Sequence, residues 1–165
     1  MSVKINNELI ETMLYFWQAS SEGEKVGEDF IRGIAGREEM EMIYDENFSA
    51  EDVRKVLSAI SNRERLNEDT SKEAKKFWNN NMWMMEDMGV VNMMVEPVKH
   101  LNLDDMESDK TLIFIPGHVD EYYVKGDTIL INFFKIMVDI FGGTGDVTMG
   151  GEPFEDHIRK IVSEN

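Results

Sequence analysis

The hydrophobic period of this 165-residue chain changes near Glu96-Pro97, and that change decides what the chain can fold into. Before it, apolar residues recur three and four apart. Leu9, Ile10, Met13, Phe16 and Trp17 form one stripe, Val26, Phe30, Ile31 and Ile34 a second, and Val53, Val56, Leu57 and Ile60 a third. This is the spacing of helix faces turned to a core. Residues 1–95 contain no proline, and Gly89 is the one glycine between Gly36 and Val95. Three to four helices are expected there. Ser49 ahead of Ala50-Glu51-Asp52, and Thr70 with Glu73 three residues on, mark helix starts. Gly36 and Gly89 fall where C-terminal caps belong.

After the change, residues 98–103 and 111–116 read as extended segments separated by an acidic turn. Residues 121–124 and 128–131 flank Gly126-Asp127, a dipeptide suited to a tight hairpin turn. Together they predict an antiparallel β-meander. From Asn132 to Phe141, the polar Asn132, Lys135 and Asp139 stand three and four apart in an otherwise apolar run. That pattern predicts a helix ended by Gly142, buried in the core or in a subunit interface. A last helix from Pro153 carries Glu155 and Asp156 at its start and Arg159 and Lys160 later, as the helix dipole favours. Helices, then strands, then helices predict a single α+β domain over residues 1–165, helical over 1–95 and with the sheet and C-terminal helices over 96–165.

Charge and composition narrow the function. The chain has 33 acidic and 17 basic side chains, a formal charge of −16, and no cysteine. Such a surface repels phosphate backbones and anionic lipid, so nucleic-acid and membrane partners are not expected. The excess is spread evenly, at −8 for residues 1–95 and −8 for the remainder, so it locates no site. Without cysteine there is no disulfide, no thiolate nucleophile and no Cys-ligated metal, which fits a reducing, cytoplasmic setting. Residues 1–21 lack the basic region and unbroken apolar core of an export signal. The most apolar stretch, residues 129–141, is shorter than the roughly 18 to 20 residues that cross a bilayer.

Four features carry chemistry. His118 and Asp120, in the run Gly117-His118-Val119-Asp120-Glu121, project to the same side of an extended chain and suit a base with its orienting carboxylate or two ligands of a divalent metal. Glu121 adjoins them, and His100, Asp146 and His157 are the candidates for a third ligand. The plainer reading is a Pro-Gly turn with solvated polar residues. The second feature is the loop holding Gly142, Gly143, Gly145, Gly150 and Gly151. It lacks the lysine of a phosphate-binding loop, and it is followed by carboxylates, so it reads as a connector or a mobile lid. The third is a methionine-rich helix over residues 71–88 that turns most of its methionines to the core. It leaves Trp83 among polar residues, either covered by the chain's own sheet or as an interface anchor. The run Asn79-Asn80-Asn81 is a point where this helix would break. The fourth is a pair of acidic patches, Glu38, Glu39, Glu41, Asp45 and Glu46, and Asp104, Asp105, Glu107 and Asp109. These read as solvated faces or as attraction for a basic partner.

Two functions follow. One is a non-catalytic protein-interaction or regulatory protein with a basic partner; the surplus of aromatic and methionine side chains for one small core also fits a homodimer. The other is a small-molecule- or metal-binding protein, an enzyme in one version, using His118, Asp120 and the glycine-rich lid. No cofactor is predicted for the first.

Overall fold

Each apolar stripe of the first half closes on one core. The computed structural model describes residues 2–165, which form seven helices and two sheets in the expected α+β order. A short strand, β1 (Lys4–Asn6), precedes α1 (Glu8–Ser21), which buries Leu9, Ile10, Met13, Phe16 and Trp17. Helix α2 (Glu28–Ala35) buries Ile31 and Ile34, and a single turn, α3 (Glu38–Glu41), follows it. Helix α4 (Ala50–Asn62) buries Val53, Val56, Leu57 and Ile60. It opens on the Ser49 capping box, with the Asp52 carboxylate accepting from the Ser49 N–H. Two orphan donors of the first turn are satisfied reciprocally this way.

The boundaries around α5 (Lys72–Glu86) and α6 (Met88–Lys99) differ from those expected. Ser71, not Thr70, caps α5, its hydroxyl accepting from the Ala74 N–H at 3.1 Å. Gly89 does not end this helix. Asp87 closes α5 and caps α6, accepting from the Val90 N–H at 3.2 Å, so Gly89 lies in the first turn of α6. Residues 98–103 are therefore not a strand. Pro97 sits in the last turns of α6, forgoing the hydrogen bond that its nitrogen would have made. Burial of Val91, Met94, Val95 and Val98 along one face holds the helix past it.

The main sheet is not a meander. Its order is β1-β2-β4-β3, with β2 at Thr111–Ile115, β3 at Tyr122–Lys125 and β4 at Thr128–Asn132. β1 and β4 both run parallel to β2, and only the β3–β4 hairpin, turning at Gly126-Asp127 as expected, is antiparallel. Successive residues Leu112 to Ile115 and Ile129 to Asn132 are all buried. Alternate residues face opposite sides of a sheet, so both faces of β2 and β4 are covered. Strands buried on both faces suit the centre, and β4 inserts beside β2 while residues 116–121 cross over its end.

The helix expected from Asn132 is absent. A short 3-10 turn, Phe133–Lys135, leads into β5 (Ile136–Val138), which pairs antiparallel with β6 (Val147–Met149); β6 pairs with β7 (Glu152–Pro153), and α7 (Phe154–Glu164) completes the chain. Two of the polar residues that suggested a helix face, Asn132 and Asp139, have local tasks here. Asn132 caps the 3-10 turn by accepting from the Phe134 N–H at 3.1 Å, and Asp139 organises the loop that follows β5. Phe141, expected to be buried, stands in solvent. No helix among the described residues is long and apolar enough to cross a membrane.

Candidate functional site

The chain crossing from β2 to β3 is held by one fully buried side chain, Asn132. Its Oδ1 accepts from the Gly117 N–H at 3.2 Å, while its Nδ2 donates to the carbonyls of His118 at 3.3 Å and Asp120 at 2.9 Å. A Cβ on Gly117 would meet the Asn132 amide carbon at 2.7 Å, so only glycine permits this approach. From α5, Asn80 donates to the carbonyls of Gly117 and His118. Asn81, one residue on, accepts the indole N–H of Trp17 at 2.9 Å and donates to the Phe77 carbonyl. The asparagine run therefore joins the helix to its neighbours, and α5 continues through it.

His118 is 4% exposed, with its ring edge against Phe48 at 4.6 Å between centroids. Its Nδ1 accepts from the Val119 N–H at 2.8 Å, which places the neutral ring's proton on Nε2, 3.3 Å from the Tyr123 hydroxyl. Burial pushes the His118 pKa down, against the pull of Asp120, Asp45 and Glu73. Burial likewise raises the pKa of Tyr123. Asp120 is exposed and acts on the ring through space only, so the His118–Asp120 pair read from the sequence is not assembled as a hydrogen-bonded couple.

His157 of α7 is the better-connected histidine. Its Nε2 lies 2.6 Å from Glu121 and its Nδ1 2.7 Å from Glu152, so the protonated ring donates to carboxylates on both sides. Burial opposes the charge, but the hydrogen bonds to Glu152 and Glu121 outweigh it and raise the pKa. The same bond from His157 lowers the pKa of Glu152. The ring fits because the β6–β7 turn is Gly150-Gly151, with φ of +60° and +80°; a Cβ on Gly150 would collide with the imidazole. Nothing in a single sequence signals a contact between Glu121 and His157, which are 36 residues apart.

The other predicted residues scatter. His100 is exposed at the end of α6, 2.7 Å from Glu96. Asp146 is exposed in the β5–β6 loop, where its carbonyl accepts from the Asp139 N–H. Among the described residues, no group of three or more His, Asp and Glu side chains is placed to hold a metal ion. The glycine segment does not cover His118. Gly142, Gly143 and Gly145 belong to a loop folded on Asp139, which accepts from the Gly142 N–H at 2.7 Å and the Thr144 hydroxyl at 2.8 Å, and Gly145 approaches Met93 of α6. Gly150 and Gly151 form the separate turn beside His157.

Two further surfaces answer questions left by the sequence. Trp83 is 70% exposed, so the chain's own sheet does not cover it. The acidic patches are partly structural: Glu39 is buried against Arg37 at 2.8 Å, and Asp105 forms a two-pronged pair with Arg159 at 3.0 Å. Among the described residues the most exposed large apolar side chain is Phe141, 98% exposed at the tip of the β5–β6 hairpin, which also exposes Ile140 and Met137. Between this hairpin and α6 runs a shallow groove of about 540 Å³ that includes Met93, Pro97 and Val147, with Glu96 at its side. Compared with known proteins, the chain matches no family model, no curated protein and no solved structure.

Proposed function

We propose that this chain is a non-catalytic protein-interaction protein, a regulator, inhibitor or assembly component, that docks a basic partner on the β5–β6 hairpin. The observation that carries the reading is Phe141, a large aromatic side chain exposed to water on a loop closed by two hydrogen bonds to Asp139. Leaving such a ring exposed costs contacts that a core would supply, and a rigid aromatic anchor is what interface hot spots use. The Asp139 hydrogen bonds fix the loop before docking, which lowers the ordering entropy lost on association. Ile140 and Met137 extend the apolar surface, and the groove beside Met93 accepts an apolar side chain in return.

Charge selects the occupant. A second copy of a −16 chain is repelled over its whole surface, whereas a cationic partner is steered toward it. Trp83 is a second candidate anchor, on α5. A cysteine-free chain of this composition suits a cytoplasmic setting, with neither nucleic acid nor membrane as its partner.

The test compares capture by the native chain and by Phe141→Ser, with a photo-crosslinking residue at position 140 and buffers of about 50 and 300 mM salt. Support is a crosslinked basic protein whose recovery falls at least about tenfold in Phe141→Ser and also falls at the higher salt. Recovery unchanged by the substitution overturns the reading. Sedimentation at tens of micromolar, the range of weak interfaces, should show a monomer; a Phe141-dependent dimer would replace the basic partner by a second copy.

A further inference from the structure

We propose that His157 is a proton-dependent latch that holds the docking hairpin to the main sheet: the doubly protonated ring ties Glu121 to Glu152, and loss of one proton frees the β6–β7 end of the small sheet. The consequence rests on the docking function proposed above, but the chemistry does not.

Three elements meet at the ring. The crossing segment before β3 supplies Glu121, whose carbonyl accepts from the Asn132 N–H at 2.9 Å, so this residue is anchored in the main sheet. Strand β7 supplies Glu152, whose register partner Met149 is the last residue of β6. The β6–β7 turn presents only the backbone of Gly150, with no charge. On α7 itself, Lys160 reaches the second oxygen of Glu152 at 3.9 Å. Among the described residues, His157 is thus the one side chain that hydrogen-bonds a carboxylate of the crossing segment before β3 and a carboxylate of the small sheet, and it is buried where it does so.

The geometry makes this tie conditional. An imidazolium has two N–H donors and satisfies both carboxylates; a neutral imidazole has one. With one proton gone, a ring lone pair faces a carboxylate oxygen at 2.6 or 2.7 Å, an arrangement of two acceptors that cannot persist. Glu152 is the partner that leaves. It lies in a two-residue strand, is partly exposed and has Lys160 as an alternative, whereas Glu121 is fixed through its backbone to β4. Release of Glu152 loosens β6, and with it the hairpin that carries Phe141. The sign is that of a raised histidine pKa: the tie is complete below the ordinary histidine range near 6.5 and is lost as pH rises through the higher folded value.

Methyl-labelled methionine provides the test without any partner. Met149 and Met137 report on β6 and β5, and Met13 and Met40 on the helical core. In the native chain the His157 ring should titrate above about 6.5, and the Met149 and Met137 methyl resonances should shift with the same midpoint while Met13 and Met40 stay fixed. Glu121→Gln should move the ring and methyl midpoints to lower pH together, and His157→Gln should abolish the methyl titration. A ring that titrates while Met149 stays still overturns the latch, as does a Met149 titration that survives in His157→Gln. Phe141→Ser leaves this titration intact, so failure of docking and failure of the latch give different results.

Discussion

The small sheet begins a few residues after the main sheet ends, and their surfaces differ. β4 ends at Asn132 with Ile129, Leu130 and Ile131 fully buried; β5 starts at Ile136, and its hairpin then exposes Met137, Ile140 and Phe141. The central strands β2 and β4 of the main sheet are covered on both faces and its crossing segment is pinned by Asn132, while the small sheet buries Ile136 and Met149 in the shared core, exposes the tip of its hairpin, and meets His157 at Glu152. The contrast separates two roles: burial in the first sheet supplies stability, and exposure in the second offers the surface proposed above for docking. The histidines follow the same division. His118 is buried at the first sheet, where burial lowers its pKa, and His157 lies between Glu121 and Glu152, where, against burial, the two carboxylates raise its pKa.

The largest expected effect lies in the main sheet. Ile131→Ala removes a fully buried side chain and should cost about 2–5 kcal/mol in urea denaturation. A loss below about 1 kcal/mol would mean that this strand is not the sealed centre described.

A smaller effect should come from acid. His118 has a lowered pKa, so the unfolded chain binds its proton first and stability falls as pH drops below about 6.5. His157 acts in the other direction, losing its contribution as pH rises. Unfolding midpoints followed from about pH 5 to 9, a span covering the histidine range, should therefore fall at both ends. His118→Gln should flatten the acid side only. An acid flank unchanged in that variant would assign it to other groups, Glu152 among them, since its lowered pKa also gives stability lost in acid.

The smallest effect belongs to the small sheet. Phe141→Ser should change stability by less than about 0.5 kcal/mol, because a side chain 98% exposed has almost no contacts to lose. Destabilisation beyond that would show that the ring packs against its own chain in solution and would erase the contrast between the sheets.

The sequence carried the helical half well because periodicity at three and four residues reports burial directly. Every residue of the first stripe, from Leu9 to Trp17, is in the core. Local cap chemistry also placed Ser49 and the start of α7 correctly. Strand order was not available in the same way. Continuous apolar runs, Leu112 to Ile115 in β2 and Ile129 to Ile131 in β4, tell of two covered faces, but the parallel pairing of Leu112 with Ile129 depends on a crossing that Asn132 stabilises from the inside. The 132–141 segment misled because three polar residues matched a helical spacing by coincidence, while Asn132 and Asp139 have separate hydrogen-bonding tasks. At the candidate sites, the sequence singled out His118, Glu121 and His157, but it joined His118 to Asp120, where the fold joins Glu121 to His157.

The first strand also bears on the order in which this molecule assembles. β1 pairs Lys4 with Thr111, so all six helices of the first half lie between the two partners. Local helical contacts form quickly, whereas a pairing this distant in sequence must await closure of a very long loop. As the chain is synthesised, β1 has no place to go until β2 has emerged, and β2 itself is flanked on its other side only once β4 follows. The helical half must therefore stand for a time as a partly formed layer with its sheet-facing surface open, which makes that half the stretch most in need of protection from aggregation during synthesis.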